Sequence, residues 1–263
     1  MQVIICPNED VVGATGAAVV ARVAHKVGPQ VVIGVATGSS PLSTYQHLAA
    51  LVRDGSLDLS GATAFALDEY VDLPIEHPQS YFATINRTVT VPLGLDPTSV
   101  HVPDGSLERL ETAGQRYEVA IKAAGGVDVQ ILGVGANGHV GFNEPSSSLS
   151  SRTRIKTLTA QTVADNARFF DSEDDVPLYC VTQGLGTIMD ARSVVLVACG
   201  ENKAKAVAAL VEGPVTAMCP GSVLQMHQRA TVVVDEAAAG LLTMADYYKR
   251  TVTGLPDWQR LGV

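Results

Sequence analysis

Two stretches of this chain carry side chains that could move protons. Asp68 and Glu69 are adjacent carboxylates in Phe65-Ala66-Leu67-Asp68-Glu69-Tyr70, where an apolar run stops. Neighbours on an extended chain point to opposite sides, so one carboxylate faces a crevice and the other faces structure. A buried carboxylate can serve as a general base if its pKa suits the step. A solvated acidic loop explains the pair equally well. The second stretch, Gly133-Val134-Gly135-Ala136-Asn137-Gly138-His139-Val140-Gly141-Phe142-Asn143-Glu144-Pro145, delivers an amide, an imidazole and a carboxylate in one glycine-rich turn. Histidine exchanges protons near neutral pH without a large shift, and Glu144 can orient or charge-balance it. A lone loop histidine is more often structural; the glycines around His139, which permit close backbone approach, make a functional loop an equal reading.

A third stretch could hold an anion. Gly34-Val35-Ala36-Thr37-Gly38-Ser39-Ser40-Pro41 follows one apolar run and precedes a helical pattern. Small residues let backbone amides point at a ligand, hydroxyls add donors, and the helix N-terminus favours negative charge. It is neither a P-loop, lacking Gly-Lys-Ser/Thr, nor GxGxxG. A plain turn with a Ser or Thr cap is the competing reading. Arg168 and Lys203 are cations that could complete a phosphate site, or could be surface charges. Ser151-Arg152-Thr153-Arg154-Ile155-Lys156-Thr157 is the one basic cluster. It fits a second phosphate or a solvated face.

These side chains need strands and helices to hold them. Apolar runs at Val3–Cys6, Val31–Ala36, Ala64–Leu67, Val127–Val134, Ser193–Cys199 and Ala230–Val234 read as strands. Helical patterns cover Asn8–Val27, Leu42–Val52, Tyr81–Thr88, Leu107–Ala124 and Asn202–Val211. The alternation predicts an α/β fold: a single domain over residues 1–263, modified Rossmann-like, with a mostly parallel sheet and helices on both faces. Ligands of such sheets bind at the carboxyl ends of the strands, where all three stretches fall. The polar segment 145–184 lacks periodicity and reads as a lid over the site or a surface excursion.

Composition narrows the classes. The chain has 263 residues, 46% hydrophobic and 17% charged, with a formal net charge of −9. That acidity argues against a nucleic-acid partner. Cys6, Cys180, Cys199 and Cys219 are scattered without metal-ligand spacing, which fits a reducing cytoplasm and no metal. Cys6 and Cys199 sit in apolar runs and read as buried thiols. The N-terminal apolar run is too short for a signal peptide, and no run reaches the ~20 residues of a membrane span.

Taken together, ATGSSP at 36–41, LDEY at 67–70, HPQSY at 77–81, GVGANGHVGFNEP at 133–145 and SRTRIKT at 151–157 closely resemble the glucosamine-6-phosphate deaminase family. The likeness runs along nearly the whole chain in motif order. The related 6-phosphogluconolactonases typically continue the Gly-His turn with an Ala-Ser-Leu-Phe-Pro type segment rather than Gly-Phe-Asn-Glu-Pro. The resemblance implies conversion of glucosamine 6-phosphate and water to fructose 6-phosphate and ammonia, without metal or organic cofactor. It implies Asp68 as the base that moves a proton from C2 to C1, and His139 as the group that assists ring opening. Asn137 and Glu144 hold that imidazole, and Thr37, Gly38, Ser39, Ser40, Arg168 and Lys203 bind the phosphate. Family members carry Asp or Asn at position 137; with Asn137 here, Glu144 is expected to be the main charged partner of His139. Ser147, Arg154 and Lys156 match the site at which allosteric members bind the activator N-acetylglucosamine 6-phosphate between subunits. Oligomeric state varies in the family, and a homo-oligomer is expected. A lactonase and a non-catalytic sugar-phosphate sensor are the rival readings.

Overall fold

The computed structural model describes residues 1–254; the last part of the expected 1–263 domain lies outside the described residues. Its strands are β1 (Gln2–Cys6), β2 (Val32–Val35), β3 (Thr63–Ala66), β4 (Asp68–Tyr70), β5 (Val100–His101), β6 (Val129–Leu132), β7 (Arg154–Thr157), β8 (Tyr179–Thr182), β9 (Val194–Ala198) and β10 (Ala230–Asp235). The α-helices are α1 (Glu9–Val27), α2 (Leu42–Arg53), α3 (Tyr81–Ile85), α4 (Val91–Leu93), α5 (Leu110–Ala123), α6 (Ala160–Ala167), α7 (Leu185–Met189), α8 (Ala204–Val211) and α9 (Ala245–Thr253).

Seven strands form one sheet in the order β1-β10-β9-β6-β2-β3-β5, and every pairing in it is parallel. Side chains alternate between its two faces, as the period of a strand requires. Val129 and Ile131 of β6 pack with Val20 of α1 and Leu48 of α2. Leu132 packs in the opposite layer with Tyr117 of α5 and Leu210 of α8. Each such fully buried side chain contributes roughly 1.5–3 kcal/mol. The chain runs outward from β2 through β3 to β5, then returns to the other side of β2 with β6. The sheet therefore reverses its winding between β2 and β6, the point where a crevice opens at the carboxyl ends of parallel strands.

Local signals agree with these elements. Asn8 caps α1 by accepting from Val11 N at 3.0 Å. Gly34 of β2 leaves room for the Gln130 amide of the adjacent strand: a Cβ there would stand 2.0 Å from its Oε1.

Three expectations change. A second sheet, β4-β8-β7, is antiparallel, where the sequence predicts no strand in 68–70 or 145–184. Segment 145–184 thus holds two strands and α6. The helix expected over Tyr81–Thr88 is α3 followed by a π-helical turn, Asn86–Thr90, and α4, which ends at Gly94 with φ 64°. Cys199 is half-buried rather than buried. Among the described residues no helix is long and apolar enough to cross a membrane.

Candidate active site

The loop after β2 and the loop after β6 flank the reversal point and line one cavity of about 630 Å³. Tyr45 of α2 fixes the start of the first loop. Its hydroxyl accepts from Ala36 N at 2.9 Å and donates to Ala36 O at 2.8 Å. Gly38 takes φ 95°, a backbone conformation that disfavours a side chain. Thr37, Gly38, Ser39 and Ser40 all line the cavity. The N-cap position of α2 is Pro41, with no side-chain cap and no acidic residue in the first turn. The hydroxyls of Ser39 and Ser40 are therefore not spent as caps, and the positive end of α2 faces the cavity uncompensated.

Asp68 and Glu69 divide their roles as strand alternation dictates. Asp68 is 4% exposed and lines the cavity. Glu69 turns away: Oε1 accepts from Tyr70 N and Tyr81 N, and Oε2 from Phe82 N, each at 2.9 Å. It thereby ties the first turn of α3 to β4. Burial pushes the Asp68 carboxyl up, the charge of Glu69 adds to it, and the Thr182 hydroxyl, with the nearby Phe142 N–H, only partly offsets both. Asp68 stands at about 7. Burial likewise pushes Glu69 up, against the pull of its three amide donors.

The histidine loop is tight. Gly135 N donates to His139 O, and Gly138 N to Gly135 O, both at 2.9 Å. A Cβ on Gly135 would stand 2.2 Å from Cε1 of His139, so only glycine admits the ring over this backbone. His139 lines the cavity, with its side chain 18% exposed. Its Nδ1 lies 3.4 Å from Oε2 of Glu144, without the alignment of a hydrogen bond. The same Oε2 accepts from Asn137 Nδ2 at 2.8 Å, while Asn137 Oδ1 accepts from His139 N at 3.1 Å. The other oxygen of Glu144 accepts from the Thr162 hydroxyl and, at 3.3 Å, from Thr159 Oγ1. Burial works against the charge on Glu144, but the His139 contact and the Thr162 and Asn137 donors outweigh it and hold it at about 2. Asn137 and Glu144 stand behind the imidazole rather than on the cavity wall.

Segment 145–184 roofs the cavity. Thr162, Asp165, Asn166 and Arg168 line it from α6 and its end, and Asn166 Nδ2 donates to Tyr70 Oη at 2.9 Å. The roof has its own small core of Tyr70, Phe142, Leu158, Val163, Val176 and Cys180. Arg168 lies over the Phe169 ring, 4.7 Å from its centroid. Lys203, in the turn after β9, faces the same cavity. Burial lowers its pKa, Asp165 opposes the shift and the charge of Arg168 reinforces it.

The basic cluster is largely engaged elsewhere. Arg152 binds Glu118 Oε2 and Asp190 Oδ2, both at 2.6 Å. Arg154 Nη1 donates to Asn143 Oδ1 at 2.9 Å. Lys156 lies two positions along the same face of β7, half-buried. Ser147 is buried with its hydroxyl unpaired. Ser147, Arg154 and Lys156 do not line the cavity. Cavity residues without a local signal in the sequence include Arg87, on the π-helical turn, and Thr162 and Asp165 of α6.

The family model for glucosamine-6-phosphate isomerases/6-phosphogluconolactonase matches residues 7–233. The chain belongs to this family. Within the isomerase/lactonase family, it is 59% identical over 251 residues to a glucosamine-6-phosphate deaminase of Cutibacterium acnes, covering 95% of this chain and 96% of the relative. A glucosamine-6-phosphate deaminase of Streptomyces avermitilis is 54% identical over 260 residues, covering 98% and 99%. A solved structure described as a monomeric glucosamine-6-phosphate deaminase superposes with a TM-score of 0.88 at 37% identity, covering 92% of this chain and all of that one. The 6-phosphogluconolactonase of Leishmania guyanensis, at 20% identity and a TM-score of 0.69, covers 90% of this chain and 97% of its own; it shares the fold.

Proposed function

We propose that this protein is a glucosamine-6-phosphate deaminase of amino-sugar catabolism, converting glucosamine 6-phosphate and water to fructose 6-phosphate and ammonia. One observation carries the reading. The same cavity holds an uncapped helix N-terminus with the cations Arg168 and Lys203, a carboxyl at about 7, and an imidazole backed by a carboxylate at about 2. Two carboxyls driven apart in this way separate the base from the charge that supports an acid.

The phosphate of the sugar sits on Thr37–Ser40 with Arg168 and Lys203, which leaves one end of the substrate anchored and one carbon in range of the base. His139, charge-balanced by Glu144, moves the proton that opens the ring. Asp68 takes the proton from C2 and returns it at C1; these carbons are adjacent, so one carboxylate reaches both. The enolamine so formed gives an imine at C2, which water hydrolyses to the ketone and ammonia. Every step is proton transfer and hydrolysis.

Segment 145–184 acts as a lid, since α6 supplies Thr162 to Glu144 and the residue that ends it, Arg168, reaches the phosphate. N-acetylglucosamine 6-phosphate as activator at Ser147, Arg154 and Lys156, assembly as a homo-oligomer, and a cytoplasmic location complete the reading. The unpaired buried hydroxyl of Ser147 supports an activator site. Sigmoidal kinetics that straighten on adding the activator would support regulation; hyperbolic kinetics indifferent to it would remove it. Light scattering on a sizing column decides the assembly.

The test is to incubate purified protein with glucosamine 6-phosphate and measure ammonia and fructose 6-phosphate together, with Asp68→Asn as control. Equal release of both, lost in the variant, is the expected result. No ammonia from folded protein, with or without the activator, would overturn the reading and make 6-phosphogluconolactone the next substrate to try.

A further inference from the structure

Thr182 stands directly across the small sheet from Asp68, outside the residues that the proposed reaction uses. The β4–β8 register pairs the two residues. Thr182 is fully buried, and its hydroxyl lies 3.4 Å from Oδ2 of Asp68. It accepts the Phe142 N–H at 3.1 Å and lies 3.4 Å from the carbonyl oxygen of Gln183. Gly141 leaves this corner open: a Cβ there would stand 3.1 Å from the Thr182 hydroxyl and 3.3 Å from Oδ2.

A hydroxyl has one proton and two lone pairs. Phe142 N–H occupies one lone pair and so turns the proton toward Asp68 or Gln183. The two acceptors are equally distant, and an ionised carboxylate binds a donor about twice as strongly as a neutral carbonyl does. When Asp68 is charged, the proton goes to Oδ2. When Asp68 holds a proton, that preference fades, and the hydroxyl can turn to Gln183 without leaving a polar atom unpaired.

We propose that Thr182 is a positioning residue that holds Oδ2 of Asp68, presents the other oxygen to substrate, and favours the ionised base. The proposal rests on Asp68 being the base. It also explains why β8 belongs to the site: the strand brings a neutral donor to a carboxylate already crowded by Glu69. The other titratable groups facing Asp68 are Tyr70 on its own strand, Tyr81 from α3, Tyr117 from α5 and Cys180 from β8. His139 faces the same cavity from the loop after β6. All of these are left in place by a change at position 182.

The experiment compares wild type, Thr182→Val and Thr182→Ser. The Asp68 carboxyl is titrated by carbon-13 NMR, assigned by its loss in Asp68→Asn, and the pH profile of kcat/KM is recorded alongside. Thr182→Val should move the Asp68 titration and the acidic limb of the profile upward together, by about one pH unit. It should lower kcat at neutral pH roughly fivefold, with KM within about twofold. Thr182→Ser should restore both. An unmoved titration in Thr182→Val, or a rate loss equal at every pH that serine does not rescue, would overturn the proposal. If Thr182→Val does not fold, Thr182→Cys, a weaker donor, should give an intermediate upward shift, and no shift overturns the proposal in the same way. Because the titration needs no turnover, it separates the two ideas: a moved titration in an enzyme that releases no ammonia would sink the deaminase reading and leave the Thr182–Asp68 contact standing.

Discussion

Oε2 of Glu144 serves two residues at once, standing 3.4 Å from Nδ1 of His139 and accepting a 2.8 Å hydrogen bond from Nδ2 of Asn137. Asn137 is a donor here, which an aspartate could not be while ionised. Asn137→Asp would set two carboxylates within hydrogen-bond distance, and like charges that close share a proton. The expected outcome is an upward move of the acidic limb of kcat/KM against pH, with fructose 6-phosphate and ammonia unchanged as products. A profile superimposable on that of wild type would mean that the amide does not contribute to the charge balance of the imidazole.

Asp68→Asn tests the base in two ways. Turnover should fall by roughly a thousandfold, the range that general acid–base catalysis covers. Stability should move in the opposite direction. The Asp68 carboxyl is raised from 3.8 to about 7, so the native state binds more protons than the unfolded state between these values. Stability therefore falls as pH rises through that window. Removing the carboxyl removes the penalty, on the order of 4 kcal/mol at the upper end. Thermal unfolding should show Asp68→Asn more stable than wild type at about pH 8 and equal to it below about pH 4. Equal Tm values at both would contradict a buried, raised Asp68.

Arg168→Ala and Lys203→Ala should act on binding. A charge-assisted contact to a phosphate is worth about 1.5–3 kcal/mol, so each change should raise KM for glucosamine 6-phosphate about 10- to 100-fold. Inorganic phosphate as a competitive inhibitor should weaken in parallel, since it probes the anchor without the sugar. Arg87 lines the same cavity on the π-helical turn. If Arg87→Ala weakened phosphate inhibition as much as Arg168→Ala does, the anchor would have to be extended to that turn.

Why some of this was readable in the sequence and some was not follows from distance along the chain. The opposite fates of Asp68 and Glu69 rest on strand alternation, a property of adjacent residues. The loops after β2 and β6 are set by glycines and hydroxyls at the ends of apolar runs, again a local signal. The small sheet has no such signal: β4 is three residues long, two of them carboxylates, a type depleted in strands. Its pairing with β8 joins Asp68 to Thr182 across 114 positions, and no periodicity reports a register of that kind. The π-helical turn at Asn86–Thr90 is likewise invisible, because its apolar spacing is close to that of the α-helix expected there. Segment 145–184 reads as irregular because its two strands are only four residues each and its helix is short; the tertiary contacts of Glu144 with Thr159 and Thr162 organise it, rather than its propensities.

Glu69 gives the sharpest check that the two carboxylates have different work. It accepts three backbone N–H groups, and no other side chain holds Tyr81 N and Phe82 N at the start of α3 among the described residues. Glu69→Gln keeps one carbonyl acceptor and loses the second oxygen, which leaves at least one amide unpaired. The cost should be about 1–3 kcal/mol, read as a lower Tm. The same change removes a negative charge that raises the Asp68 carboxyl. The acidic limb of kcat/KM should therefore move down, opposite in direction to the shift expected from Thr182→Val. A variant that loses stability while its acidic limb stays where it was would mean that burial alone sets Asp68, and that the neighbouring charge is screened from it.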